Sequence, residues 1–165
     1  MYFMYVHFDL DLGGNPADRR ANLAYTLVNV LYYGVYSFIF LYLSKYMLDN
    51  GFNNSEIGIM MAAGFVAAVF LQQIVAGFAD RSGTVTVSQI LAAGFALIIL
   101  IDLALLFLHG RKPAIPVLYC LQITTIMSVQ PCLNALNFQM QQLQFRMDYG
   151  VARSMGSLSY AVFSA

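Results

Sequence analysis

The sequence predicts an all-α fold, a polytopic helical bundle in a membrane, and three observations lead to this fold class. Hydrophobic residues make up 60% of the 165-residue chain and charged residues only 10%, whereas soluble domains carry about 25% charged residues. Four apolar runs are each long enough to cross a bilayer, which takes about 20 helical residues. The links between these runs are short. Short links make neighbouring helices antiparallel, so the predicted bundle runs up and down across the membrane.

The four apolar runs cover residues 24–46, 57–79, 85–108 and 114–140. The first contains Lys45 as its only charge and the third contains Asp102, while the other two contain no charged residue. A fifth run opens near Tyr149 and is still apolar at Ala165. It is too short to span a bilayer, so we expect the protein to continue. We therefore assign residues 1–23 to an N-terminal cytoplasmic or interfacial segment, and residues 24–165 to transmembrane helices one to four and the start of a fifth.

The links carry the signals expected at helix ends. The segment "DNGFNNSE" (49–56) combines a Gly and three Asn residues with a polar helix start, and "DRSGT" (80–84) is typical of a tight turn. In "HGRKP" (109–113), Gly ends one helix and Pro begins the next. The sequence "AAGF" occurs at 62–65 and again at 92–95, which predicts close helix packing through small residues rather than an internal repeat.

Composition and motifs exclude several classes of function. Eight basic and eight acidic residues give a net charge of zero, whereas nucleic-acid binding requires a basic surface. The two cysteines, Cys120 and Cys132, lie in one apolar run and are predicted to be free thiols. The sequence contains no CxxC metal motif, no HExxH, no GxSxG and no paired intramembrane aspartates. We therefore expect no metal, no cofactor and no enzymatic activity.

Polar residues recur at helical spacing inside three of the apolar segments. A helix that faces only lipid is apolar all round, so a polar stripe indicates a wet or hydrogen-bonded face. The stripes share the offsets i, i+4, i+7 and i+11: Tyr25, Asn29, Tyr32 and Tyr36 in the first, Gln130, Asn134, Asn137 and Gln141 in the fourth, and Arg153, Ser157, Tyr160 and Ser164 in the fifth. Three matched stripes predict one shared polar cavity. Interhelical hydrogen bonding and an interfacial tyrosine belt are the alternatives for individual residues.

Two charged residues within the membrane part have alternative interpretations. Arg153 lies five residues after Asp148, about 7 Å deeper along a helix. It either snorkels back to the headgroups or points into the cavity, where its planar guanidinium can bind a ligand. Asp102 lies about two turns before the end of the third run. It is either a proton-relay carboxylate or an interfacial residue paired with Arg111 or Lys112.

The run from Gly34 to Gly83 resembles the major facilitator superfamily. The matching segments are "EIGIMMA" at the start of the second helix, "LQQ" near its end and "ADRSG" in the following turn. The segment "DYGVARSMGSLSYA" (148–161) is similar to the start of the family's fifth helix. The closest similarity is to the branch that contains lactose permease and proton-linked sugar and nucleoside symporters. The resemblance implies that the chain is the N-terminal part of a twelve-helix, multi-pass plasma-membrane transporter with a cytoplasmic N-terminus and alternating access.

The resemblance also implies roles for individual residues. Arg153 matches the family's sugar-binding arginine, and Asn134 aligns where lactose permease has a glutamate, which disfavours galactoside specificity. Asn29, Tyr36 and Gln72 are further candidates for the same substrate cavity. Asp80, Arg81 and Gly83 match the turn whose charges help to gate the cytoplasmic side. In this turn Ala76 replaces the first glycine of the family motif, and no basic pair follows Gly83.

These features lead to one functional hypothesis with two alternatives. The hypothesis is a secondary active transporter that carries a small polar solute, such as a sugar or nucleoside, by proton-coupled symport. We expect the solute, protons and the lipid bilayer as partners, and a monomer as the full-length protein. The proton-coupling carboxylates are implied by the family in its second half rather than seen here. The alternatives are efflux of amphipathic compounds, or a membrane sensor that binds a ligand without translocating it.

Overall fold

The computed structural model describes residues 15–81, 86–108 and 112–165, and within these residues every regular element is helical. Five helices follow one another along the chain: α1 Pro16–Asp49, α2 Asn54–Arg81, α3 Val87–Phe107, α4 Ala114–Gln142 and α5 Tyr149–Ser164. The first four are long and apolar enough to cross a membrane. The predicted all-α membrane bundle is therefore confirmed.

Helix α1 begins at Pro16, well before the apolar run that starts at residue 24. The side chain of Asn15 caps the helix by accepting a 3.2 Å hydrogen bond from the backbone N–H of Ala17. Pro16 follows in the first helical position, where its fixed φ angle is suited to a helix and its missing N–H costs nothing. The first turns of α1 thus carry polar residues, and two of them, Asp18 and Asn22, are buried.

A π-helical segment, Phe38–Tyr42, interrupts α1 between Pro16–Ser37 and Leu43–Asp49. Within it, the N–H of Leu43 reaches back five residues to the carbonyl of Phe38. Such widened turns are rare and frequently occur at functional sites, because they disturb the regular spacing of side chains on the helix. The segment lies on the side of α1 that borders α3.

Helix α4 is the centre of the bundle, since it packs against both α2 and α3, while α1 packs mainly against α5. Glycines allow the close approach to α4. A Cβ atom at Gly64 would lie only 2.9 Å from the side chain of Ile123, and one at Gly94 would collide with Val129. Both glycines belong to the "AAGF" segments, so the predicted small-residue packing is confirmed. The hydroxyl of Thr124 adds a 3.2 Å hydrogen bond to the carbonyl of Gly64.

The links at the two ends confirm the predicted up-and-down order. At one end, Asn22 of α1 hydrogen-bonds to the segment between α4 and α5. At the other end, the turn after α1 places Gly51, with a φ of 87°, beside Lys112 in the link before α4. Helix α2 starts with a reciprocal cap, because Asn53 and Glu56 each accept a hydrogen bond from the other's backbone N–H.

The outward faces of α2 and α3 form a wide apolar surface. Phe70, Ile74, Leu103 and Leu106 are among the large side chains exposed there. Soluble monomers rarely expose such a continuous apolar area, whereas a lipid-facing helix requires one. This surface therefore agrees with a bundle embedded in lipid.

Candidate functional site

A polar hollow of about 360 Å³ lies between α1, α4 and α5. Its lining comes from all three helices that carry polar stripes: Tyr33, Tyr36, Gln130, Arg153, Ser157 and Tyr160. Each stripe predicted from the sequence therefore contributes at least one residue to the same cavity. We call this cavity the Arg153 hollow.

Arg153 is held against an aromatic face and keeps a hydrogen-bond donor free. Its guanidinium carbon lies 5.0 Å from the centre of the Tyr33 ring, a cation–π distance. Its Nη1 is buried and has no hydrogen-bond partner among the residues that the structure describes. No acidic side chain lines the hollow within this part of the chain. The guanidinium is therefore oriented, charged and unneutralised, as a ligand-binding arginine would be.

Gly156 is the reason that Tyr33 can lie beneath the guanidinium. A Cβ atom at position 156 would lie 2.5 Å from Cδ2 of Tyr33, so only glycine leaves room for the ring. Gly156 follows Arg153 by three residues, which places both on one face of α5. The hydroxyl of Tyr33 is also buried and has no hydrogen-bond partner in the described chain. Tyr33 was not predicted to line the cavity, because it follows Tyr32 directly and is not part of the first polar stripe.

Aromatic rings form the remaining wall of the hollow. The ring of Tyr36 lies 4.4 Å from Phe40 and 6.0 Å from Tyr160, centre to centre. Such rings offer flat apolar faces with hydroxyl groups at their edges, which suits a ligand that has both a ring face and polar substituents. Gln130 and Ser157 supply further polar groups. The hollow can thus combine stacking, hydrogen bonding and one positive charge.

Asn29 and Tyr32 of the α1 stripe form hydrogen bonds within the bundle. Asn29 is buried and donates a 2.9 Å hydrogen bond to the carbonyl of Tyr25, one turn back on its own helix. The hydroxyl of Tyr32 donates a 3.0 Å hydrogen bond to the carbonyl of Ile126 and so links α1 to α4. Asn29 does not line the Arg153 hollow. For these residues the geometry agrees with the alternative interpretation, hydrogen bonding within the bundle.

Asn134, the predicted partner of Arg153, lies one turn along α4 from the hollow. Its side-chain oxygen accepts a 3.4 Å hydrogen bond from the hydroxyl of Tyr149, and Gln130 takes the lining position instead. The interior Pro131 interrupts the backbone hydrogen bonding of this part of α4. Gln130 is therefore the α4 residue that faces Arg153.

Gln72 is also separate from the Arg153 hollow. It lines a second cavity of about 380 Å³, together with Ala76 of α2, Val87 of α3 and Pro131 of α4. None of the residues that line this cavity lines the Arg153 hollow. Of the five residues predicted to bind substrate, the structure brings Arg153 and Tyr36 together in one hollow and leaves Gln72, on α2, in a separate cavity.

The predicted gating residues cannot be placed against neighbours. Asp80 and Arg81 end α2, and their side chains lie outside the described residues, as does Gly83. Their role in gating stays a prediction from the family resemblance.

A hydrogen-bonded clasp that the sequence analysis missed lies at the same end of the bundle. Asn22 donates to the carbonyl of Arg146 at 2.6 Å and accepts from the N–H of Asp148 at 2.7 Å. The carboxylate of Asp18 accepts from the N–H of Arg146 at 3.3 Å. Asp148 in turn caps α5 by accepting from the N–H of Val151. The start of α1 therefore positions the first turn of α5, and Arg153 follows in the next turn.

Asp102 has a neutral partner in the structure. Its carboxylate accepts a 2.8 Å hydrogen bond from the amide of Gln122 on α4. Of the two cationic partners predicted for it, Arg111 lies outside the described residues, and the Lys112 side chain, in the link after α3, lies beside Gly51. Gln122 was not among the partners that the sequence predicted for Asp102.

The fold and the hollow together define a class: a helical membrane protein whose bundle carries an open polar hollow with a positive charge, as in transport proteins. Comparison with known proteins gives the family. The model of the MFS_1 like family matches residues 22–165, and the chain belongs to this family, within the major facilitator superfamily. No curated protein and no solved structure matches the chain. Family membership points to a membrane transporter rather than an enzyme.

Proposed function

We propose that the protein is a secondary active transporter that carries a small polar solute by proton-coupled symport and alternating access. The solute occupies the Arg153 hollow, where the free Nη1 donor of Arg153 binds one of its oxygen atoms. A sugar or a nucleoside suits the hollow, because both combine a ring face with several hydroxyl groups. The plasma membrane is the proposed location, and the full-length monomer is the proposed functional unit.

One observation carries this proposal: the buried Nη1 of Arg153, which has no hydrogen-bond partner in the described part of the chain, lies among polar and aromatic residues from three helices. A buried charge that serves only structure is normally paired or hydrogen-bonded, because an unpaired one is costly in a membrane. A solute that enters the hollow supplies the missing acceptor. Release of the solute returns the arginine to its unpaired state, so the binding is reversible, as transport requires.

Uptake by vesicles that contain the protein tests the proposal. We expect labelled sugars or nucleosides to accumulate when an inward proton gradient is imposed, and much less when the gradient is collapsed. Arg153→Lys keeps the charge but loses the planar fork of donors, so we expect solute affinity to fall about tenfold to a hundredfold. Arg20→Lys is the matched control, because Arg20 is exposed on α1. Uptake that ignores the gradient would refute symport, and unchanged affinity in Arg153→Lys would remove Arg153 from the site.

Efflux of amphipathic compounds is the second candidate, and the aromatic wall of the hollow favours it. Tyr33, Tyr36 and Tyr160 present more ring surface than hydrogen-bonding groups. The two directions are separated by the same vesicles, because a gradient-driven exporter accumulates amphipathic dyes only when the orientation of the gradient is reversed. A sensor would bind solute in the hollow but show no gradient-dependent movement in either direction.

A further inference from the structure

Asp102 is a carboxylate within the apolar run of α3, and it does not line the proposed solute site. Asp102 lies on α3 about 7 Å before the end of the helix. It borders a groove of about 370 Å³ between α1 and α3 whose other lining residues come from α1: Val35, Phe38, Ile39, Tyr42, Leu43 and Tyr46. Asp102 is exposed on the surface of the described bundle, and its neighbours in the groove are apolar apart from two tyrosines. In a membrane, this environment does not favour an ionised carboxylate.

Gln122, the hydrogen-bond partner of Asp102, has a partner for only one of its two side-chain polar atoms among the described residues. Gln122 is fully buried, and its Nε2 donates a 2.8 Å hydrogen bond to Oδ1 of Asp102. The other polar atom of the same amide, Oε1, is also buried and has no hydrogen-bond partner in the described part of the chain. Buried amide oxygens are normally paired, because they lose their hydrogen bonds to water on burial. The structure therefore shows an acceptor that lacks a donor beside a carboxyl group.

A proton on Asp102 would supply that donor. An ionised carboxylate only accepts hydrogen bonds, whereas a protonated one has an O–H donor and still accepts at its second oxygen. A carboxylic acid and a primary amide are complementary in this way: the acid O–H donates to Oε1 of Gln122 while Nε2 donates to the acid carbonyl. Protonation thus satisfies both polar atoms of Gln122, and loss of the proton leaves Oε1 unpaired again.

Among the described residues, the groups that face Asp102 offer no competing cation. From α1, the titratable side chains that line the groove are the phenols of Tyr42 and Tyr46, and from α4 the adjacent group is the uncharged Gln122. Tyr119 of α4 is hydrogen-bonded to Ser44. No lysine or arginine lines the groove among the described residues. The neutral form of Asp102 is therefore the form that this environment complements best.

The π-helical segment of α1 is a second, independent feature of the same groove. Three of the lining residues, Phe38, Ile39 and Tyr42, belong to Phe38–Tyr42. π-helical turns are rare and frequently occur at functional sites. The same helix carries Tyr33 and Tyr36 of the Arg153 hollow about one turn earlier. Helix α1 thus connects the groove beside Asp102 with the solute cavity.

We propose that Asp102 and Gln122 form a proton-binding site. Asp102 takes a proton from water as its carboxylate becomes a carboxylic acid, and it returns the same proton to water on release, so no other bond forms or breaks. The role of this site in coupling rests on the proposed symport, but proton binding itself does not. The site is distinct from the Arg153 hollow, since the two share no lining residue.

Infrared spectroscopy of the protein in lipid nanodiscs tests proton binding without any solute. We expect a carbonyl stretching band from a protonated carboxylic acid at neutral pH, and loss of this band in Asp102→Asn. Gln122→Leu should keep the band but shift it to higher frequency, because the carbonyl loses its hydrogen bond. Asp49→Asn is the matched control, because Asp49 is exposed at the end of α1 and its removal should leave the band unchanged.

Asp102→Asn is also expected to fold as the parent does. Its amide can donate to Oε1 of Gln122 and accept from Nε2, as the protonated acid does, so Asp102→Asn should keep the melting temperature of the parent. Absence of the acid band in the parent protein at mildly acidic, neutral and mildly alkaline pH would overturn the proposal, as would a band that persists in Asp102→Asn. Failure of symport is seen separately, because it appears in vesicle uptake and leaves the infrared band in place.

Discussion

Gly156→Ala is expected to damage the solute site through a single methyl group. The added Cβ would lie 2.5 Å from Cδ2 of Tyr33 and 3.1 Å from Cε2 of the same ring. Carbon atoms in contact lie about 3.5–4.0 Å apart, so the ring must retreat by about 1 Å or α5 must move away from α1. The ring that lies beneath Arg153 is therefore displaced whichever part gives way.

The cost has two parts of known size. Inserting a methyl group into a packed contact costs about 1–3 kcal/mol of stability. The guanidinium carbon of Arg153 now lies 5.0 Å from the centre of the Tyr33 ring. Loss of this cation–π contact removes about 0.5–2 kcal/mol of the interaction free energy that holds the guanidinium in place. At 1.4 kcal/mol per factor of ten, we expect solute affinity to fall about twofold to thirtyfold.

Equilibrium solute binding and thermal unfolding, measured on the same samples, separate the two effects. Gly58→Ala is the matched control, because a Cβ there meets no atom within 4 Å and the residue also lies in a helix. The control should bind solute as the parent does. Parental affinity in Gly156→Ala would refute the claim that Gly156 positions Tyr33 beneath Arg153. A fall in melting temperature with unchanged affinity would show that the glycine serves helix packing alone.

Three further variants test the fold that holds the hollow. Asn22→Ala removes the hydrogen bond to the N–H of Asp148 and should cost about 1–3 kcal/mol in thermal unfolding; a melting temperature equal to that of the parent would contradict the clasp. Gly64→Ala places a Cβ 2.9 Å from Ile123 and should cost about 1–3 kcal/mol, unless α2 does not pack against α4. Thr86→Ala removes the hydroxyl that accepts from the N–H of Gln89, so the capping box of α3 loses one of its two hydrogen bonds, at a cost of about 1 kcal/mol.

The helices were predictable because membrane burial acts on every residue in a span. A run without charge for about 20 residues has few alternatives to a transmembrane helix, and turn residues mark its ends. The packing role of the glycines in the "AAGF" segments was also predictable, since small residues on an apolar helix favour close packing. The start of α1 was less predictable, because Asp18 and Asn22 are polar yet buried. Hydropathy cannot register polar residues that are buried by hydrogen bonding to a distant loop.

The site was predictable only in outline. Helical spacing placed Arg153 and Tyr36 on facing stripes, and the structure brings both into one hollow. Spacing along one helix does not determine how that helix is rotated about its axis relative to a neighbour. The spacing therefore did not predict that Gln130 rather than Asn134 lines the hollow. Tyr33 was missed for the same reason. Its only signal in the sequence is Gly156, whose missing side chain makes space for a ring that lies far away along the chain.

Solute protection of a cysteine in the hollow tests the central claim most directly. Ser157→Cys places a thiol in the lining, and Ser154→Cys places one on an exposed part of α5 outside the hollow. Labelling of each variant with a maleimide is measured in lipid with and without a transported solute, after subtraction of the parent's labelling at Cys120 and Cys132. We predict that the solute slows labelling at position 157 and leaves position 154 unchanged. Equal labelling of Ser157→Cys with and without a solute that the protein transports would contradict the account.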